Sequence, residues 1–304
     1  MRLLSLILFF LCVSCATRTP VTDRLTDRKK DLYSHKISDV PLIAQKENHC
    51  GPASLAMVMQ FHGIKKNPDE IAKGLFHEKL KGSFFPEMKA RARDEGMVVI
   101  EVNDLEDAFK ELSAGNPVIV LQNNGFAFFP RWHFAVLTGF DLKGPDVYLH
   151  DGSKEVEEDD MRLFERSFVL GGKRSLVILP PGKLSVTGTE MNHLESATIL
   201  EGMNKKDDAL KSYQAILTKW PESLLARIGA SNVLYFLGRK KEAMLELESA
   251  VISHPDSAFA WHNLAIIQGE SGNKELAKLS AKKALSLASD EQKEKFKVSL
   301  SEWL

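Results

Sequence analysis

The fold of this chain is decided by residues 45–52, Gln45-Lys46-Glu47-Asn48-His49-Cys50-Gly51-Pro52. They lead into an apolar run, Pro52 to His62, which begins with proline and is followed by Gly63, as helices commonly are. Cys50 therefore lies in the first predicted turn of a helix, where free backbone N–H groups and the helix dipole favour a thiolate. The alternative interpretation of Cys50 is a small buried apolar side chain.

The chain has three cysteines, and the other two lie near its start. Leu3 to Val13 is apolar except for two residues, which is too short to span a bilayer of roughly 30 Å but is typical of a secretory signal. The following Cys12-Val13-Ser14-Cys15 resembles the lipobox of bacterial lipoproteins. That resemblance implies a signal peptide over residues 1–14, lipid on Cys15 and, since no aspartate follows, an outer-membrane anchor facing the periplasm. An ordinary secretory signal with a chance cysteine is the alternative.

The rest of the chain divides into three parts. Residues 15–40 are polar and predict a tether. Residues 41–182 read as helices followed by a mostly antiparallel meander, which indicates an α+β domain. The predicted helices span 52–62, 68–76, 85–94 and 105–113, and the predicted strands span 97–102, 117–121, 133–140, 147–150 and 176–179. Residues 183–189 predict a linker.

The last part repeats itself every 34 residues. Ala209, Ala243 and Ala277 share this spacing, as do Gly238 and Gly272. Small residues at this period resemble the tetratricopeptide repeat, in which they allow two helices to cross closely. The resemblance implies repeats at 190–223, 224–257 and 258–291 and then a capping helix to residue 304. A generic helical bundle is the alternative.

A thiol nucleophile needs a base, and the base needs a third group to orient it. His133 is a polar residue inside an otherwise apolar predicted strand, Trp132 to Phe140. The next predicted strand ends at His150-Asp151-Gly152, which places a carboxylate beside it. Each residue has a structural alternative: a histidine bonded in the core, or an Asp-Gly turn.

Together, Gln45, Cys50-Gly51-Pro52, His133 and Asp151-Gly152 resemble the bacteriocin-processing, double-glycine leader peptidase family of papain-like cysteine peptidases. The likeness covers Pro41 to about Leu179. It implies that Cys50 is the nucleophile, His133 the general base and acid, and Asp151 the group that orients the imidazole. It also implies that the Gln45 amide and the Cys50 N–H form the oxyanion hole. The sequence departs from the family in the five-residue spacing of Gln45, in His49 and in Gly152.

The function expected is therefore a lipid-anchored, extracytoplasmic cysteine peptidase that cleaves a peptide or protein. Its repeats would bind a partner or the substrate, and its anchor would bind the membrane. Two alternatives remain open: a papain-like amidase or acyltransferase, and a non-catalytic scaffold acting through the repeats. A net charge of -1 gives no reason to expect nucleic acid. No cofactor or metal is expected, because the sequence shows no zinc spacing, phosphate loop or dinucleotide fingerprint.

An aromatic segment just before the expected base has two possible interpretations. Residues 125–132 run Gly-Phe-Ala-Phe-Phe-Pro-Arg-Trp and predict a loop. The loop either lines a peptide groove or packs in the core and at its rim.

Overall fold

A computed structural model describes residues 20–27, 34–77, 79, 82–144, 146–153 and 155–304. The predicted signal peptide and Cys15 lie outside the described residues. Contacts divide the chain into two compact units. The first comprises the residues up to Arg91 together with Glu101–Ile178, and the second comprises Ala92–Ile100 together with Leu179–Leu304.

In the described part of the chain, six helices precede the last strand of the sheet. They are α1 Pro20–Asp27, α2 Cys50–Phe61, α3 Pro68–Ala72, α4 Phe85–Asp94, α5 Leu105–Ser113 and α6 Met161–Leu170. Helix α2 is buried continuously from Gly51 to Met59, because its sequence is apolar or small on every face. It ends where Gly63 takes a φ of +80°, a conformation that glycine adopts without steric cost. Helix α2 therefore forms the centre of the first unit and holds Cys50 at its outer end.

Seven strands form one sheet. They are β1 His35–Lys36, β2 Val98–Val102, β3 Val118–Asn123, β4 Trp132–Asp141, β5 Asp146–His150, β6 Glu157–Asp160 and β7 Ser175–Leu179. The order is β2-β7-β3-β4-β5-β6, with β1 also paired to β4. The β3–β4 and β4–β5 pairs are antiparallel, with Gln122 opposite His133 and Val136 opposite His150. This register brings His133, the end of β5 and Cys50 to the same end of the strands.

The tether expected over residues 15–40 is partly wrong. Residues 20–27 form helix α1, and residues 35–36 form strand β1. Glu165 of α6 is the reason, because its carboxylate accepts hydrogen bonds from the backbone N–H groups of Val21 and Thr22 and from the Thr22 hydroxyl. Because the partner of this helix lies far away in the sequence, residues 20–27 show no helical pattern of apolar residues from which the helix could have been predicted.

The repeats form helix pairs. They are α7 Glu190–Gly202 with α8 Lys206–Lys219, α9 Leu224–Phe236 with α10 Lys240–Ser253, and α11 Ala258–Glu270 with α12 Lys274–Leu287, followed by α13 Asp290–Ser299 and a 3₁₀ turn, Ser301–Trp303. The alanines at the 34-residue period, Ala209, Ala243 and Ala277, are fully buried, as close helix crossing requires. This confirms the predicted fold class, an α+β peptidase-like domain followed by an all-α repeat region.

The 34-residue period also sets the helix ends. Thr189, Ser223 and Ser257 each accept a hydrogen bond from a backbone N–H of the helix that follows, which caps the first helix of each pair. Asn204 takes a φ of +61° at the position where the later repeats have glycine. Among the described helices, none is long and apolar enough to cross a lipid bilayer.

Candidate active site

Cys50 is the first residue of α2 and lies half-buried against strand β4. Burial raises the pKa of its thiol above the ordinary value, while hydrogen bonds from the backbone of Phe134 and Gly51 and from its own N–H lower it. The helix start therefore supplies the expected donors, but burial outweighs them. The net effect is a raised pKa of the thiol, whereas the helix position alone favours a thiolate.

His133 lies near the start of β4 and is also half-buried. Burial lowers the pKa of its imidazole, whereas the charge of Asp151 and a hydrogen bond to the Asp151 main chain raise it. The ring thus donates to the main-chain carbonyl of Asp151. Its Nε2 is buried without a hydrogen-bond partner among the described residues. An imidazole that is neutral and has a free nitrogen can accept a proton.

Asp151 directs its carboxylate elsewhere. Its Oδ1 accepts the Ser153 N–H at 2.8 Å. Burial and the neighbouring Asp151 and Asp159 carboxylates raise the pKa of Glu157, which also hydrogen-bonds to Asp151. Asp151 therefore holds the His133 ring through its main chain and favours the imidazolium through its charge.

Gln45 is fixed by its contact with Gly152. The Gln45 N–H donates to the Gly152 carbonyl at 2.9 Å. Gly152 has a φ of +93°, and a Cβ there would lie 2.6 Å from both Cγ and Cδ of Gln45. Glycine at this position is thus required by the Gln45 side chain. The Gln45 Oε1 is buried without a partner within the described part of the chain.

A cavity of about 700 Å³ brings Gln45, Cys50 and His133 together. Its walls are formed by residues that the sequence did not single out: Asn48, Gly82, Ser83, Phe84, Phe85, Pro86, Leu121, Trp132, Phe134, Leu170, Gly171, Gly172 and Arg174. Asn48, with a φ of +62°, could have been suspected from its place in the turn before Cys50. Ser83 carries no local signal, since it reaches the site by packing on Gly51.

A second cavity, of about 530 Å³, lies on the other side of His133. Three carboxylates line it, those of Asp151, Glu157 and Asp159, together with Arg166. His150 lines neither cavity, in keeping with its place on the opposite face of β5. The described residues contain no group of three or more His, Cys, Asp or Glu side chains that could hold a metal ion.

Comparison with known proteins gives a family for the first unit. Residues 37–175, just under half of the chain, match the model described as Peptidase_C39 like family. A C39-like peptidase structure from Bacillus anthracis is 19% identical, with a TM-score of 0.42, over 50% of this chain and 98% of that one. A double glycine motif protease from an AMS/PCAT transporter, solved with the leader peptide, is 26% identical, with a TM-score of 0.37, over 47% of this chain and 93% of that one.

The repeat region has its own structural neighbours. YrrB, a TPR protein with an unusual peptide-binding site, is 22% identical, with a TM-score of 0.31, over 33% of this chain and 51% of that one. No curated protein matches the chain. The family match, the order of the site residues and the 34-residue helix pairs agree: residues 37–175 form a Peptidase_C39-like domain, and a tetratricopeptide-like repeat region follows it.

Proposed function

We propose that this chain is a cysteine peptidase of the bacterial cell envelope, anchored by lipid on Cys15 and acting through Cys50, His133 and Asp151. One observation carries the proposal: Gln45, Cys50 and His133 line the same cavity although 88 residues of sequence lie from Gln45 to His133. The Peptidase_C39-like family of the domain supports peptide-bond hydrolysis as the reaction.

The reaction begins from a neutral pair, because burial keeps both the Cys50 thiol and the His133 imidazole uncharged. As Sγ attacks the peptide carbonyl, the thiol proton passes to Nε2 of His133, which has no hydrogen-bond partner among the described residues. The charge on Asp151 stabilises the imidazolium that forms. The proton then passes to the leaving amine as the C–N bond breaks, and an acyl-enzyme remains on Cys50.

The oxyanion of the tetrahedral intermediate needs two donors. The Gln45 side-chain amide and the Cys50 N–H are proposed to supply them, since both residues line the cavity. Water then attacks the acyl-enzyme with His133 as the base, which releases the acid product and restores the thiol.

The repeats are proposed to bind a protein partner or the substrate. A cavity of about 800 Å³ lies between α7, α8 and α9, and apolar side chains such as Leu225 and Phe236 are exposed along it. A surface of this kind fits an apolar stretch of peptide.

A thiol-reactive activity probe tests the catalytic part of the proposal. The probe should label wild-type protein at Cys50 and should fail to label Cys50→Ser. Peptide N-termini in the cell envelope should then differ between cells that carry the wild type and cells that carry Cys50→Ser. Identical N-termini together with identical growth would leave the repeats, acting as a scaffold, as the functional part.

The anchor is tested separately by labelled palmitate. Wild-type protein should incorporate the label and sediment with membranes, and Cys15→Ser should do neither. Loss of label without loss of sedimentation would show that something other than a lipid on Cys15 holds the protein.

A further inference from the structure

The loop between β3 and β4 exposes four aromatic side chains. We name residues 124–132 the aromatic hairpin. Phe128 is 86% exposed, Phe129 75%, and Phe126 and Trp132 are each 58% exposed. Phe126 and Trp132 each line a cavity beside His133, in agreement with the expected groove, but Phe128 and Phe129 are not in the core and line neither cavity.

The backbone of the aromatic hairpin is ordered by hydrogen bonds. Oδ1 of the buried Asn123 accepts the N–H groups of Gly125 and Arg131, each at 2.9 Å. Phe126 and Phe129 exchange two backbone hydrogen bonds of 3.1 Å across the turn. Glycine is required at 125, since a Cβ would lie 2.3 Å from the Phe129 carbonyl oxygen. The aromatic side chains are thus presented by an ordered backbone, which reduces the entropy lost on binding.

The hairpin itself carries no negative charge, although the carboxylates of Asp151, Glu157 and Asp159 line the cavity that Phe126 also lines. No acidic residue occurs between Pro117 and Phe140, and Arg131 at the hairpin is exposed. Phenylalanine and tryptophan on a convex tip with an arginine nearby are typical of side chains that enter the interfacial layer of a bilayer. A peptide partner would instead be expected to find a groove.

The chain that leads to Cys15 meets the first unit at helix α6, on the face of that helix that carries Glu165. Helix α1 is held by Glu165 of α6, and Leu163 and Leu170 of α6 line the cavity wall that they share with Phe126. Four residues lie between Cys15 and Pro20, and the five residue steps from one to the other reach at most about 18 Å when fully extended. A lipid on Cys15 would hold this unit against the bilayer and leave little room for a long tether.

We propose that the aromatic hairpin inserts Phe128 and Phe129 into the lipid interface and so turns the mouth of the peptidase site towards the membrane. The orientation of the site towards the membrane rests on the lipid anchor of the proposed function. The contact between the hairpin and lipid does not rest on the anchor, because residues of the hairpin alone make it.

The test uses residues 16–304, which include every described residue but no lipid, and vesicles of phosphatidylethanolamine and phosphatidylglycerol. Co-sedimentation should be measurable for the unchanged sequence and should fall at least about tenfold in Phe128→Ser/Phe129→Ser, since each buried phenylalanine contributes that much or more. The matched control is Ile252→Ser/Leu279→Ser, which removes two exposed apolar side chains from the second unit, away from its proposed binding cavity, and should bind as the unchanged protein does. Apolar insertion also predicts that binding persists when salt is added.

A second measurement locates the contact. Lipids carrying bromine should quench part of the tryptophan fluorescence, and Trp132→Phe should remove that part. Equal vesicle binding by the hairpin variant and the unchanged protein, or binding by neither, would overturn the proposal. Unchanged vesicle binding with weaker peptide binding would assign the hairpin to a protein ligand instead. Probe labelling of Cys50 reads out the proposed function independently in every variant.

Discussion

Gly152→Ala should disable the oxyanion hole although it substitutes none of the proposed catalytic side chains. The new Cβ would lie 2.6 Å from Cγ and Cδ of Gln45, whereas carbon atoms in contact are separated by about 3.5–4.0 Å. The Gln45 side chain must therefore move by about 1 Å. A displacement of that size costs about 10²-fold in rate, and complete loss of one oxyanion donor costs about 10²–10³-fold.

The assay is acylation of Cys50 by p-nitrophenyl acetate, followed as the burst of p-nitrophenol. We expect the burst rate of Gly152→Ala to fall about 10²-fold. The φ of +93° adds a backbone cost of about 1–2 kcal/mol, which lowers the melting temperature by a few degrees.

Gly115→Ala is the matched control for the backbone. Its φ is +79°, and a Cβ there meets nothing within 4 Å, so it should lose similar stability and keep its burst rate. Gln45→Gly/Gly152→Ala should acylate no more slowly than Gln45→Gly, because glycine at 45 removes the Cβ, Cγ and Cδ atoms that a Cβ at 152 would meet. A Gly152→Ala burst as fast as that of Gly115→Ala, or additive losses in the double variant, would refute the proposed role of Gln45.

Three further outcomes are expected. Burial raises the pKa of the Cys50 thiol, so alkylation by iodoacetamide should increase only as the pH rises past the ordinary thiol value of about 8.5, and a plateau in acid would contradict the neutral pair. Glu165→Ala should release helix α1 and lower the free energy of unfolding by about 1–3 kcal/mol, measured by urea denaturation. Gly229→Ala should destabilise the repeats by about 1–3 kcal/mol, since its Cβ would lie 2.4 Å from the Tyr213 ring, whereas Gly202→Ala meets nothing within 4 Å and should melt as the unchanged protein does.

The features that the sequence predicted correctly depend on local signals. The predicted helices over 85–94 and 105–113 match α4 and α5 residue for residue, because flanking glycines and polar caps set their ends. The repeats follow from small residues at one spacing. Cys50 and His133 reach one cavity because an apolar helix and an apolar strand must both enter the same core.

The features that it missed depend on partners far away in the chain. Strand β6, Glu157–Asp160, is acidic and mostly exposed, so no alternation of apolar and polar residues marks it. Helix α1 depends on Glu165, more than 140 residues away. The raised pKa of Cys50 depends on how deeply the fold buries the thiol. The sequence pattern of a helix start cannot predict that burial.

The division of the chain into units has a consequence for its synthesis. Ala92–Ile100 belongs to the second unit, yet first-unit residues precede and follow it. Ser196 donates to the Val99 carbonyl, and Arg93 pairs with Glu195, so these contacts form only after the ribosome has made α7. Because domains generally fold as they emerge from the ribosome, N-terminal first, residues 92–100 must wait without these partners for about 90 residues of further synthesis. A nascent chain stalled before α7 should therefore be a better chaperone client than the finished protein.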